Sequence, residues 1–303
     1  MQVMSAVVPH MQHTIQFAKA SGAGNDFVLI DNMRNEFAFD KAKLATAVCS
    51  RSFGVGADGL ILLEPSSGSD FFMRYYNADG SYGGMCGNGG RCVARYAFLN
   101  GIAGATMKFE ALDHIYTADV VGAGVKLTMK DPSEIRSNVH IQVDGEVLVG
   151  HSINTGSPHV VLFEPGIEST DVTLLGRKIR HHKMFLPEGT NVNFVAVSSE
   201  GILRVRTYER GVEAETLACG TGAVASAIIA SMEKGAASPV RLRVQSGEEL
   251  LVDFECHGSK VRHVVLEGSA HILFTGTLTY DDARGTLRDI LQPSGHPHHS
   301  PVD

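Results

Sequence analysis

Met85-Cys86-Gly87-Asn88-Gly89-Gly90-Arg91-Cys92 and Ala218-Cys219-Gly220-Thr221-Gly222-Ala223 are the two stretches on which the reading of this chain turns. Each sets a CGxG turn directly before a run of small apolar residues, RCVARYAFL in one case and GAVASAIIASMEK in the other. The runs stop at Asn100-Gly101 and at Gly235, residues that suit a helix C-terminus. Both predicted helices are apolar on nearly every side, which fits a helix surrounded by sheet better than one lying on a surface. A second pair of landmarks recurs upstream: SGAGNDFVLI, with Gly24, and NTGSPHVVLF, with Gly156. Gly24 and Gly156 lie 132 residues apart and Cys86 and Cys219 lie 133 apart, so two separated landmarks share one offset. Duplication predicts two similar α/β units facing each other about a pseudo-twofold axis, with a cleft that receives one copy of each motif.

Outward from these motifs, alternation and turn residues predict short strands over residues 14–20, 27–31, 60–63, 71–76, 116–121 and 125–130. Hairpins are expected at Asp144-Gly145 and Ser246-Gly247, and a helix over KAKLATAVC with Asp40 as its cap. Segment 131–138, DPSEIRSN, is polar and carries a proline, so it reads as the domain linker. The end of the chain, PSGHPHHSPVD, is biased to Pro, His and Ser and reads as a solvated tail, its HPHH included.

Composition excludes several classes. With 44% apolar and 19% charged residues in 303, the chain is too apolar for disorder and long enough for two domains. Net charge is −7 with Lys and Arg scattered, so no basic stripe serves a nucleic acid. No stretch approaches the ~18 apolar residues of a membrane span, and the opening residues lack the pattern of a signal peptide. A soluble cytoplasmic protein is expected. Five cysteines, an odd number, argue for reduced thiols over a disulfide framework. Cys86 and Cys92 stand six apart with no second pair, so no metal site is expected. Gly54, Gly56 and Gly59 fit GxGxxG, but the apolar run LILLE that follows is a strand, whereas a dinucleotide loop opens a helix.

A cysteine at a helix N-terminus meets unpaired backbone NH groups that favour its thiolate, unless apolar burial pushes back. The glycine after it leaves those NH groups open to a carboxylate. Cys86-Gly87-Asn88 and Cys219-Gly220-Thr221 each offer a thiol beside an anion nest. Two such units, related by symmetry, would hold a substrate's α-carbon between the sulfurs. One thiolate would remove the α-proton while the opposite thiol returns one to the other face, inverting the centre without a cofactor. Cys49, Cys92 and Cys256 lack flanking glycines and read as inert.

Eight blocks in order, GAGNDF, GVGADG, YYNADGS, MCGNGGRC, TGSPHVV, LPEGTNVNF, TYERG and ACGTGA, spread over about residues 14–279, resemble the diaminopimelate epimerase family. The resemblance implies an α+β fold of two pseudo-symmetric α/β domains, each a curled, mostly antiparallel sheet around a central helix, with a closed cleft between them. The implied domains are residues 14–130 and 131–270, a strand near 271–279 being a candidate to join the first; residues 1–13 and 281–303 are appendages. It further implies epimerisation of LL-diaminopimelate to the meso form for lysine and peptidoglycan synthesis, a small-molecule substrate, no cofactor, and no nucleic-acid or membrane partner; it leaves a homodimer open. Carried over by motif, Cys86 and Cys219 would be the acid and base, and Gly87-Asn88 and Gly220-Thr221 would bind the reacting carboxylate. Asn25, Asn77 and Asn191 would bond the amino and carboxylate groups, Glu209 the ammonium, and Arg210 the distal carboxylate by a bidentate fork. His159 and Glu209 would tune the thiols.

Two positions depart from the family pattern. Ser157 stands where many members carry Asn, and Gly59 where some carry Gln. Three alternatives stay open at this level: a racemase of a single-carboxylate amino acid on the same scaffold, a redox protein that cycles a Cys86–Cys219 disulfide, and a noncatalytic amino-acid-binding module.

Overall fold

The computed structural model describes residues 12–258 and 260–288. The first half runs β1 (Gln12–Gly22), β2 (Asn25–Asp31), α1 (Lys41–Cys49), β3 (Gly59–Glu64), β4 (Phe71–Asn77), α2 (Gly87–Leu99), β5 (Thr106–Ala111), β6 (His114–Val121) and β7 (Gly124–Thr128). Next come β8 (Ser133–Val143), β9 (Glu146–Asn154), β10 (Pro158–Phe163), α3 (Val172–Arg180), β11 (Asn191–Val197), β12 (Leu203–Glu209), β13 (Ala214–Thr216) and α4 (Gly220–Lys234). The last elements are β14 (Val240–Arg243), β15 (Glu249–His257), β16 (Lys260–Ser269), β17 (His271–Asp281) and β18 (Thr286–Arg288).

The duplication extends to the six pairings that run through each half. In the first half β1–β2 is antiparallel, β2–β3 parallel, β3–β4 antiparallel, β4–β5 parallel, and β5–β6 and β6–β7 antiparallel. The second half repeats that order with β9–β10, β10–β11, β11–β12, β12–β14, β14–β15 and β15–β16. The equivalent strands β7 and β16 pair with each other, Leu127 opposite Leu266, and join the halves into one mixed sheet. β8, which follows the first set, pairs along β9, while β17, which follows the second set, pairs along β1. Each half thus closes its first strand with the strand that ends the other half.

Sequence explains the layers. Helix α2 from Gly87 to Ala94, and α4 from Gly220 to Ala230 apart from Thr221, are buried, as their small apolar residues demand when sheet curls round them. One apolar cluster joins Val93 and Ala97 of α2, Val224 and Ile228 of α4, and strands of both halves. Strands β2 and β3 are apolar on both faces: Leu29 and Ile61 face α2, while Val28 and Leu60 face Leu44 and Val48 of α1. Asp40 caps α1 by accepting from the amides of Ala42 and Lys43 at 3.0 and 3.3 Å. Helix α3, absent from the sequence reading, covers the equivalent face of β10 and β11, with Ile179 against Val160, Val192 and Tyr208. Its Gly176 is what admits the helix, since a Cβ there would lie 2.4 Å from Tyr208 Cβ.

Two expectations are corrected. The segment read as a linker is the start of β8, whose polar residues reflect a mostly exposed strand rather than a tether. The appendages shrink: Gln12 and His13 pair with Asp281 and Tyr280, and Asp281 is fully buried and accepts from Arg288 Nε at 2.9 Å. Gly285 permits the turn that returns β18 onto β17. The HPHH tail lies outside the described residues. Among the described residues, no helix is long and apolar enough to cross a membrane.

Candidate active site

Cys86 and Cys219 are the N-caps of α2 and α4, with closely matching backbones: φ −122°, ψ 121° for one and φ −125°, ψ 112° for the other. Their carbonyls accept the first helical bonds, from Gly90 N at 2.7 Å and Ala223 N at 2.8 Å. The glycines that follow the two cysteines lie where the helix starts meet. A Cβ on Gly220 would stand 3.5 Å from Gly87 Cα and 3.2 Å from Leu266 Cδ2. The fourth residue of each motif is glycine for a neighbouring reason: a Cβ on Gly222 would lie 2.4 Å from Asn193 Oδ1, and one on Gly89 2.9 Å from Ile61 Cδ1.

Burial decides the thiol chemistry of the site. It pushes Cys86 up to about 11, against amide bonds from Gly89 and Asn88 that pull it down and the Glu209 carboxylate that adds to the rise. Cys219, 8% exposed, is pushed higher still by burial and Glu209, with the Thr221 hydroxyl and the Gly222 amide pulling back. The helix N-termini act in the direction foreseen, but desolvation outweighs them. Glu209 influences both sulfurs and Cys86 raises Cys219, which ties the three groups to one location. Glu209 is itself raised by burial, while Thr216 Oγ1 donates to it at 3.0 Å.

Around Cys219 the hydrogen bonds have a direction. Asn193 Nδ2 donates to the Val160 carbonyl at 3.1 Å, and Thr207 Oγ1 donates to Asn193 Oδ1 at 3.0 Å, which fixes the amide. The same Nδ2 meets His159 Nδ1 at 3.1 Å, so Nδ1 accepts and the imidazole proton is on Nε2. Nε2 lies 2.9 Å from Thr221 Oγ1 and 3.0 Å from Ser157 Oγ. When Nε2 donates to Thr221, the Thr221 hydroxyl is free to donate to Cys219 Sγ, 3.5 Å away. His159 stays neutral because burial, and then the Arg210 charge, take it down to about 3.

Around Cys86 the support is different. Asn88 Nδ2 donates to Asn25 Oδ1 at 2.6 Å, and the buried Arg91 donates to Asn88 Oδ1 at 2.8 Å. Asn25 Nδ2 donates to Asp58 at 3.0 Å, and Arg51 clamps Asp58 and Asp26 behind it at 2.7 and 2.9 Å. The register makes the asymmetry explicit. Phe27 faces Gly59 in β2–β3 where His159 faces Asn191 in β10–β11, and the same 132-residue offset sets Ile61 against Asn193 and Tyr75 against Thr207. Polar positions on the Cys219 side are therefore aromatic, aliphatic or empty on the Cys86 side.

The remaining predicted residues divide into two groups. Asn191 is committed to the scaffold, Nδ2 to the Pro158 carbonyl at 2.9 Å and Oδ1 from the Arg210 amide at 2.8 Å. Ser157, the departure from Asn, joins the His159–Thr221 group. Asn77 ends β4 and bonds Ser81 Oγ at 3.0 Å. The Arg210 guanidinium has no carboxylate partner among the described residues and donates only to the Glu188 carbonyl, at 3.3 Å. Gly59, the other departure, has no room for a side chain: a Cβ would stand 2.4 Å from Tyr75 Cε2. Sequence reasoning missed Asn193, Thr207, Asp58, Arg91 and Tyr75. Asn193 was accessible, since it stands two residues from Asn191 on one face of a strand; the others become visible only through the pairing of the halves.

The sequence profile of the family described as Diaminopimelate epimerase matches residues 17–135 and 151–273, one segment in each half. Diaminopimelate epimerase of Chlorobaculum tepidum is 44% identical over 263 residues, covering 86% of this chain and 99% of that protein. The Aquifex aeolicus protein of the same name is 43% identical over 278 residues, covering 88% and 98%. Among solved structures, a probable proline racemase from Agrobacterium radiobacter shares the fold with TM-score 0.65 at 16% identity, covering 86% of this chain and 92% of that one. A PhzF-family phenazine biosynthesis protein from Bacillus anthracis does so with TM-score 0.68 at 12% identity, covering 88% and 99%. With both halves matched by one profile and identities above 40% along nearly the whole of these relatives, this chain belongs to the diaminopimelate epimerase family.

Proposed function

We propose that the protein interconverts LL- and meso-diaminopimelate in lysine and peptidoglycan synthesis, using Cys86 and Cys219 as opposed acid and base. The observation that supports this most is the pair of cysteine N-caps with matching backbone angles on helices whose first residues touch. The two helix starts receive the α-carboxylate, whose oxygens gain charge as the α-proton leaves. One sulfur, as thiolate, takes that proton and becomes a thiol. The opposing thiol gives its proton to the other face and becomes the thiolate, so the pair is restored with its roles exchanged and no cofactor is consumed.

Burial raises both thiols, so ionisation draws on the substrate. Its α-ammonium brings positive charge next to the sulfurs and Glu209 and favours the thiolate. Arg210, with no carboxylate partner among the described residues, takes the distal carboxylate, the group that separates diaminopimelate from single-carboxylate amino acids. Asn25, Asn77, Asn88, Ser157 and Thr221 complete the polar wall, Asn191 holds the Arg210 backbone in place, and His159 tunes Cys219 through Thr221. The reading places the protein in the cytoplasm, where its five free cysteines stay reduced.

The test is turnover of LL-diaminopimelate in heavy water beside a panel of single-carboxylate amino acids. Deuterium enters one α-carbon of diaminopimelate and none of the panel, and Cys86→Ser or Cys219→Ser each lowers the rate by roughly a hundredfold to ten-thousandfold. Full activity in either serine variant would overturn the two-sulfur mechanism, and turnover of the panel in place of diaminopimelate would overturn the substrate.

A further inference from the structure

Tyr75 is on β4, on the inward face it shares with Phe71 and Met73. Its ring is held between two glycines: a Cβ on Gly59 would lie 2.4 Å from Cε2, and one on Gly83 2.4 Å from both Cδ1 and Cε1. The Gly83 position also borders Asn77, whose Oδ1 would be 3.1 Å from that Cβ. Phe27 meets the ring edge-on, with centroids 6.0 Å apart. Such a clamp fixes the ring and leaves little freedom at χ1 or χ2.

The hydroxyl is the unexplained part. Tyr75 is 8% exposed, and its Oη has no hydrogen-bond partner among the described residues. Tyr280 Oη is the only fully buried side-chain polar atom without a partner among them, so what remains accessible on Tyr75 includes its hydroxyl. Burial first, then the charges of Cys86, Asp58 and Glu209, raise its pKa, so the phenol keeps its proton and stands near Cys86 and Glu209. The hydroxyl sits on an immobilised ring, stays accessible and has no protein acceptor among the described residues, so it is available to a ligand.

The internal repeat indicates what it is for. At the position equivalent to Gly59 the second half carries Asn191, and at the position equivalent to Tyr75 it carries Thr207. Thr207 is spent on Asn193. In the first half the glycine vacates the volume and the tyrosine ring fills it. A polar group is thereby delivered to the Cys86 side from the neighbouring strand.

We infer that Tyr75 is a substrate-binding, specificity-determining residue whose hydroxyl donates a hydrogen bond to a carboxylate oxygen of the bound substrate on the Cys86 side of the cleft. This rests on the reading that the cleft takes diaminopimelate. Phe keeps the ring in its clamp and removes only the donor, so Tyr75→Phe in the full chain isolates the bond. The expected result is a KM for LL-diaminopimelate raised about tenfold, kcat within about twofold of the parent, and an unchanged melting temperature. Unaltered KM and kcat would overturn the inference by reducing Tyr75 to packing, and so would a fall in kcat at constant KM. Turnover of LL-diaminopimelate by the parent protein is the control: its absence would remove the substrate reading itself, whereas an active parent with an indifferent Phe variant removes only the role of Tyr75.

Discussion

At Cys219, a neutral imidazole acts on sulfur through Thr221: when Nε2 donates to the Thr221 hydroxyl, that hydroxyl is left to donate to Sγ. The residue that fixes the imidazole is Asn193, through an amide held by a carbonyl on one side and a hydroxyl on the other. Removing the hydroxyl while keeping the volume tests the chain. In Thr221→Val the Cys219 thiolate loses a donor and its pKa rises, so at a fixed neutral pH the thiolate fraction and kcat/KM fall about tenfold per unit of that rise. The rising limb of the pH–rate profile moves to higher pH, since less proton release has occurred at each pH. Thr221→Ser keeps the donor and restores the parent profile. A Val variant with the parent pH profile contradicts the relay.

At the level of elements, much was legible. The three helices read from sequence all form, the Asp40 cap and the Gly235 stop act as foreseen, and Gly235 takes the left-handed conformation with φ 71°. The duplicated motifs were visible because glycine and cysteine at a fixed offset survive in sequence. Helix α3 was not visible: only Val172, Gly176 and Ile179 are buried in it, and its glycine reads as a breaker while serving as a contact. Strand β8 reads as a linker for the same reason: an exposed element lacks the apolar period that marks a buried strand. The site was legible as far as its cysteines and asparagines. The supports were not, because Asp58, Arg91 and Thr207 gain meaning only from partners brought by folding.

Glu64 in β3 offers a test of how one element is anchored. Burial raises its pKa, but Lys41 at 2.7 Å and Arg74 at 2.6 Å outweigh that and hold it below the ordinary glutamate range. A carboxyl depressed on folding contributes stability that is complete above its unfolded value, near ~4.3, and is lost as pH falls through the folded one. Glu64→Gln should therefore cost ~2 kcal/mol at neutral pH, discounted from a fully buried pair because both partners reach solvent. Chemical denaturation at pH 7 and again below pH 4 measures it, and the gap between parent and variant should close at the lower pH.

For the whole molecule, the exchange of β8 and β17 and the shared apolar cluster predict that the halves unfold together. Calorimetry should give one transition whose calorimetric and van't Hoff enthalpies agree. Two resolved transitions would mean that the pairing across the halves contributes little. The asymmetry of the two sulfur environments belongs to this scale as well. A duplicated frame supplies matched backbone at both cysteines, and divergence at Phe27/His159, Gly59/Asn191 and Tyr75/Thr207 gives each thiol its own neighbours.

The β1–β17 pairing carries a cost during synthesis on the ribosome. His13 and the residue that bonds it, Asp282, are separated by 269 positions. At ~5–20 residues per second, the outer edge of β1 waits on the order of tens of seconds for its partner to emerge. Throughout that interval the nascent amino-terminal half exposes an unsatisfied strand, a natural client for a chaperone, and its sheet is completed only once β17 has been made.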